Sequence, residues 1–131
     1  MDKPRNGAVY HDHPLGHDFS RAVVTPSGLV ITAGHVAERD DGTMVDSPDV
    51  RDHMRQTLEN LRATLAVCGA TLDDVIKLTV YFADAEDWAA FKEVRREYVQ
   101  PPFPASTGVL AAALDPSMRF ELEAVAQLPA A

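Results

Sequence analysis

The chain is short of cysteine, of positive charge and of long apolar runs, and each scarcity narrows what it can be. Cys68 is the one cysteine. No intrachain disulfide can form, which fits a reducing compartment. Twelve Lys and Arg stand against twenty Asp and Glu, a net charge of −8. A chain this acidic lacks the diffuse attraction to phosphate backbones on which nucleic-acid binders rely, and anionic membrane surfaces are disfavoured for the same reason. Purely apolar stretches such as Val109–Leu114 fall far short of the ~20 residues that span a bilayer. Met1 to Asp18 carries prolines and histidines in place of an apolar stretch, so it does not read as a signal peptide. Together these features point to a cytoplasmic protein without nucleic-acid or membrane partners.

What remains is ordinary for a globular protein: 46% hydrophobic and 24% charged residues in 131 positions. That length suits one domain, residues 1–131, with enough chain to bury a real core. Pro4, Gly7, Pro14 and Gly16 make residues 1–18 a lead-in rather than a structural element. Phe19–Thr25 and Leu29–Thr32 flank the turn signal Pro26-Ser27-Gly28 and predict a hairpin. Ser47-Pro48-Asp49 is a helix start, with Ser47 placed to accept from the first amides. Val50, Met54, Leu58, Leu61, Leu65 and Cys68 then recur at helical spacing, and Gly69 closes the segment.

Val75–Phe82 predicts a strand with Ile76, Leu78, Val80 and Phe82 on its apolar face and Lys77 and Thr79 opposite. Asp84 is placed to cap a second helix carrying Trp88, Phe91, Val94 and Tyr98, of which Trp88 is expected in the core with Met54. Pro101, Pro102 and Pro104 end it. Ser106–Ala112 and Arg119–Gln127 predict two last strands around a turn at Asp115-Pro116-Ser117. Phe120, Leu122 and Ala124 alternate with Glu121 and Glu123. The expected fold is α+β, with helices covering one face of a sheet.

The wording of these elements resembles the Rid/YjgF superfamily of small imine and enamine deaminases. The densest match runs from Gln56-Thr57-Leu58-Glu59-Asn60-Leu61 through Gly69-Ala70-Thr71-Leu72-Asp73-Asp74-Val75-Ile76-Lys77-Leu78-Thr79-Val80-Tyr81. Phe19-Ser20-Arg21-Ala22-Val23, Ala33-Gly34-His35, Phe103-Pro104-Ala105 and Phe120-Glu121-Leu122-Glu123-Ala124-Val125-Ala126 flank it, so the resemblance covers about residues 17–127. It implies a chorismate-mutase-like fold assembled as a homotrimer, with pockets for a small-molecule substrate between subunits and no cofactor.

The pocket departs from the family's pattern. Where deaminases of the family read Pro-Ala-Arg-Ser, this chain reads Pro104-Ala105-Ser106-Thr107. The family's arginine, which grips a substrate carboxylate, is replaced by Ser106. Ala33, His35, Phe19 and Lys92 stand where the family has serine, glutamine, tyrosine and asparagine. Glu121 does match, at the position that in the deaminases helps to place the attacking water.

Glu121 is accordingly the first catalytic candidate, as a carboxylate able to hold water once burial raises its pKa. His35 is the second, as a proton shuttle or hydrogen-bond partner, balanced by a purely structural reading. Ser106, Thr107, Phe19, Ala33 and Arg21 are expected around the substrate, with Ser106 lining the same pocket as Glu121 and His35. Glu123 reads as an interface or surface charge. Cys68 reads as a core residue. His11, His13 and His17 lie in a loop without the fixed ligand set a metal needs, and no metal is expected. The resulting expectation is a hydrolase acting on an enamine, imine or related carbon–nitrogen bond, other than the standard 2-iminopropanoate deaminase. Two alternatives stand beside it: a non-catalytic ligand-binding or interaction trimer, and a ribonuclease, which the acidic charge disfavours.

Overall fold

In the computed structural model, which describes residues 3–130, the long apolar stripe forms helix α1 (Val50–Val67). Val50, Met54, Leu58, Leu61 and Leu65 are buried along it, as the spacing predicts. The cap falls on Asp49 rather than Ser47. The Asp49 side chain accepts from the Arg51 amide at 3.0 Å, while the Ser47 hydroxyl accepts from the Asp49 amide and donates to Asp52. Gly69 ends the helix with φ of +86°. That left-handed turn lets the Gly69 and Ala70 amides reach back to the Ala66 and Leu65 carbonyls.

Six of the seven strands of a single sheet are β1 (Lys3–Arg5), β2 (Ala8–Asp12), β3 (Ser20–Val24), β4 (Leu29–Thr32), β5 (Val75–Phe82) and β6 (Ala105–Leu110). The seventh, β7 (Phe120–Gln127), inserts between β4 and β5, giving the order β1-β2-β3-β4-β7-β5-β6. Only β5 and β6 run parallel, joined across helix α2 (Asp87–Arg95). Both helices pack on one face, where Ala22, Val30, Leu78, Val80, Leu122 and Ala124 meet Met54, Leu61, Phe91 and Val94. Phe91 and Phe120 pack at 5.2 Å between ring centroids, with Phe82 beside both.

Four local expectations are corrected. Residues within 1–18 form a hairpin, β1 and β2, rather than a lead-in without a regular element. Its two-residue turn is Asn6-Gly7, both at positive φ, with Arg5 opposite Ala8. Ile76 is exposed, because the ladder to β7 shifts register between Val75 and Lys77 and Val75 takes the inward position instead. Asp84 does not cap α2 itself; it organises the preceding turn by accepting from the Glu86 amide at 2.9 Å. Trp88 is 40% exposed. Its ring lies edge-on to Phe82 over Gly108, where an added Cβ would come within 2.9 Å of the indole.

The other face of the sheet carries Val23, Ile31 and Val125 on one side and Lys77, Thr79, Tyr81, Glu121 and Glu123 on the other. The pairings Val23–Ile31, Ile31–Val125, Thr79–Glu123 and Tyr81–Glu121 set these rows. That is the mixed-polarity face the alternation predicts. Among the described residues no helix is long and apolar enough to cross a membrane.

Leu61, fully buried at the middle of α1, tests the core. Leu61→Ala is expected to lower unfolding free energy by about 2–5 kcal/mol, read by urea denaturation, through lost burial plus the cavity left behind.

Candidate functional site

The end of β4 and the start of β7 build the site. After Thr32 the chain continues alongside β7, so that His35 and Leu122 exchange backbone hydrogen bonds at 2.7 and 3.0 Å. His35 thereby faces the helix side and Glu121, one residue before Leu122, the opposite side. Gly34 lies directly beneath the Glu121 carboxylate. A Cβ there would fall inside the contact distance of Glu121 Oε2, so the absence of a side chain at 34 makes room for the carboxylate.

Glu121 is half-buried and has no hydrogen-bond or ion-pair partner among the described residues. Burial raises its pKa above the ordinary 4.5, and the neighbouring Glu123 charge adds to the rise. Glu123 itself accepts a short hydrogen bond from Tyr81, so the two glutamates that alternate on one strand have different duties. Glu121 borders two adjoining cavities, of about 490 and 240 Å³, which also share Gly34, Leu114 and Met118.

His35 is held at both ring nitrogens. Nδ1 lies 2.8 Å from the Ala33 carbonyl, which can only accept, so the proton sits on Nδ1. Nε2 then accepts from the Thr64 hydroxyl at 2.7 Å, and Thr64 Oγ1 accepts from Arg21 Nε at 3.0 Å. Burial lowers the His35 pKa below 6.5, against a smaller opposing effect of the Ala33 hydrogen bond. The imidazole is therefore neutral and fully partnered. Its geometry is that of a strut between α1 and the β4 terminus, and Arg21 acts through it from behind.

Phe19, Ala33, His35 and Glu121 line the larger cavity together. Ser106 does not join them within one chain. It pairs with Leu78 and so faces the helix side of the sheet, in a separate cavity of about 310 Å³ beside Phe103, Arg95 and Arg96. Thr107, on the opposite face, accepts from Lys77 Nζ at 2.6 Å. Lys92 leans over the Trp88 ring on α2. Sequence reasoning missed Asn60, Thr64 and Glu38, which also line the larger cavity. Asn60 donates to the Val36 and Glu38 carbonyls at 2.9 and 2.7 Å and accepts from Gln56 at 2.9 Å, pinning the loop that forms the cavity wall. Its place inside the densest motif of α1 was the available signal.

The fold is thus α+β, with two helices on one face of a seven-stranded sheet and a glutamate, unpartnered among the described residues, in a cavity beside its central strand. The sequence pattern of the family described as Endoribonuclease L-PSP matches residues 12–128. A RutC family protein of Pyrococcus horikoshii is 36% identical over 113 residues, covering 86% of this chain and 88% of that one. A protein of Dermatophagoides farinae named 2-iminobutanoate/2-iminopropanoate deaminase is 34% identical over 112 residues, 86% of each chain. The crystal structure of RidA from an Antarctic Psychrobacter superposes with a TM-score of 0.77 at 28% identity, covering 86% of this chain and 89% of that one. The chain belongs to this family, the Rid/YjgF superfamily.

Because folding raises the Glu121 pKa above 4.5, the folded state holds that proton more tightly than the unfolded one. The contribution of this group to stability is then fully present below 4.5 and is lost as pH rises from there through the raised folded pKa. Glu121→Gln is expected to melt at higher temperature than the unmodified protein near neutral pH, with the gap closing as pH falls toward 4.5. Thermal melts across that range check the sign.

Proposed function

We propose that the chain is a hydrolase of small imines or enamines, or of a related carbon–nitrogen bond, in which Glu121 holds and activates the attacking water. The observation that carries this reading is the Glu121 carboxylate, unpartnered among the described residues, opening onto a cavity and raised in pKa by burial. Such a group can pass one water proton to the imine nitrogen as the water oxygen bonds to the C=N carbon, then pass the hydroxyl proton of the resulting carbinolamine to the same nitrogen as the C–N bond breaks, leaving a carbonyl and ammonia. The deaminase and RutC names borne by relatives support the same class. A cavity of about 490 Å³ supports ligand turnover over a site closed by bulky side chains. The net charge of −8 weighs against RNA as substrate.

The substrate proposed is one without a carboxylate, or one gripped by other groups. Ser106 stands at the position that the resemblance assigns to arginine, and a guanidinium–carboxylate pair contributes roughly 1.5–3 kcal/mol, or about one to two orders of magnitude in affinity. Arg39, on the cavity wall, is turned onto the Met44 carbonyl at 2.7 Å.

Assembly as a homotrimer with pockets between subunits belongs to the same proposal. It is supported by the free edge of β6, by the mixed face of the sheet, and by Phe103, Leu110 and Leu114, which are 67, 64 and 93% exposed. Ser106 would then meet a Glu121 only across an interface.

In a semicarbazide competition assay with imines generated in situ, 2-iminopropanoate hydrolysis is expected to be little accelerated, and imines without a carboxylate to be hydrolysed. Glu121→Gln should lower the latter rate about 10²–10⁴-fold, as loss of a general base does. Gly34→Ala should approach the same loss, because the new Cβ displaces the carboxylate. Full activity in Glu121→Gln would refute the role. Sedimentation should give about 43 kDa for three 14.3 kDa chains; a monomer or dimer at micromolar concentration would refute the trimer.

A further inference from the structure

The loop between β2 and β3 reaches the mouth of the larger cavity with two histidines, and the segment after β4 meets them with a glutamate. His13 Nε2 lies 3.6 Å from Glu38 Oε1, and His17 Nε2 lies 3.3 Å from Glu38 Oε2. One donor atom from each of the three residues lies within 4.8 Å of the others. We propose that His13, His17 and Glu38 form a three-ligand site for a divalent transition-metal ion of the zinc class at the mouth of the cavity.

The donor set is right for such an ion: two imidazoles and one carboxylate, with a further position left for solvent or ligand. Zinc binds these donors at ~2.0–2.2 Å, which places tetrahedral donors roughly 3.4 Å apart. The two imidazole–carboxylate separations already approach that value, and closing the widest, within 4.8 Å, needs movement of up to about 1.4 Å. Glu38 lies more than twenty positions beyond His13 and His17, so helical or strand periodicity does not bring it to them by default.

The site is also built. Gly16, at φ of +74°, turns the loop so that its amide bonds the His13 carbonyl at 3.0 Å. Phe19 stacks on the His17 ring and meets the His13 ring edge-on, with centroids 5.4 and 5.3 Å away. Asn60 fixes the backbone at Glu38 from the α1 side, and an isolated bridge to Met44 fixes it from the other. All three residues line the cavity. An ion held by them would face whatever the cavity binds.

Ligation has one identifiable consequence inside the chain. His13 Nδ1 now accepts from the Leu15 amide at 3.1 Å, so the ring proton sits on Nε2, toward Glu38. An ion on Nε2 moves the remaining proton to Nδ1 and releases the Leu15 amide to water at an exposed position. This exchange of tautomer distinguishes ligation from a simple pair of ring N–H groups donating to Glu38.

The inference does not rest on the hydrolase reading, since it is tested by binding alone. Tag-free full-length protein, freed of metal by chelation, is titrated with Zn²⁺ by calorimetry and with Co²⁺ by visible absorbance. The expected result is one ion per chain with Kd below about 10 μM, weakened at least about tenfold in His17→Ala and in Glu38→Gln. Nitrogen-15 spectra of the unmodified protein should show the His13 ring proton moving from Nε2 to Nδ1 on Zn²⁺ addition, with His35 unchanged. A weaker Kd, an affinity indifferent to both substitutions, or a His13 ring that keeps its tautomer would overturn the site.

Discussion

Strand β7 is paired along both edges, with β4 on one side and β5 on the other, and that double pairing fixes its register. With a side-chain period of two, Phe120, Leu122, Ala124 and Ala126 must enter the core while Glu121 and Glu123 leave it. A slip of one residue would bury two carboxylates and expose four apolar groups. The position of Glu121 is therefore set by the packing of its neighbours on the helices, not by any bond of its own.

That arrangement leaves Glu121 without a cation or donor among the described residues, in a half-buried place that disfavours its charge. By contrast, the second titratable residue of the site is consumed by structure. The chain from Arg21 through Thr64 and His35 to the Ala33 carbonyl joins β3, α1 and the end of β4. It holds the backbone at Gly34 in place, and Gly34 in turn admits the carboxylate. Both ring nitrogens of His35 are taken up in this chain of hydrogen bonds.

Much of the fold was legible in the sequence. The apolar stripe from Val50 to Cys68, the glycine after it and the alternation in Phe120–Gln127 reappear almost as read. Errors arose where one local signal outweighed another. Asn6-Gly7 is a strong two-residue hairpin signal, yet the prolines around it suggested a loop. Ile76 lies outward because a register shift, invisible to strict alternation, lets Val75 take its place. Trp88 continues the helical spacing of α2 but falls at the margin of the face, against Gly108.

The sequence by itself determined the α+β class, the long helix and the central strands, because these depend on periodicity and caps within short stretches, while Glu121 stood out through the resemblance to the Rid/YjgF superfamily. Only the tertiary structure decided that His35 is saturated, that Ser106 faces away from Glu121 within one chain, and that Glu38 meets His13 and His17. Those facts depend on which strand lies beside which and on loops that carry no period. Side chains more than twenty positions apart are brought within hydrogen-bond range by the sheet order and by the packing of α1, and no local pattern encodes that distance.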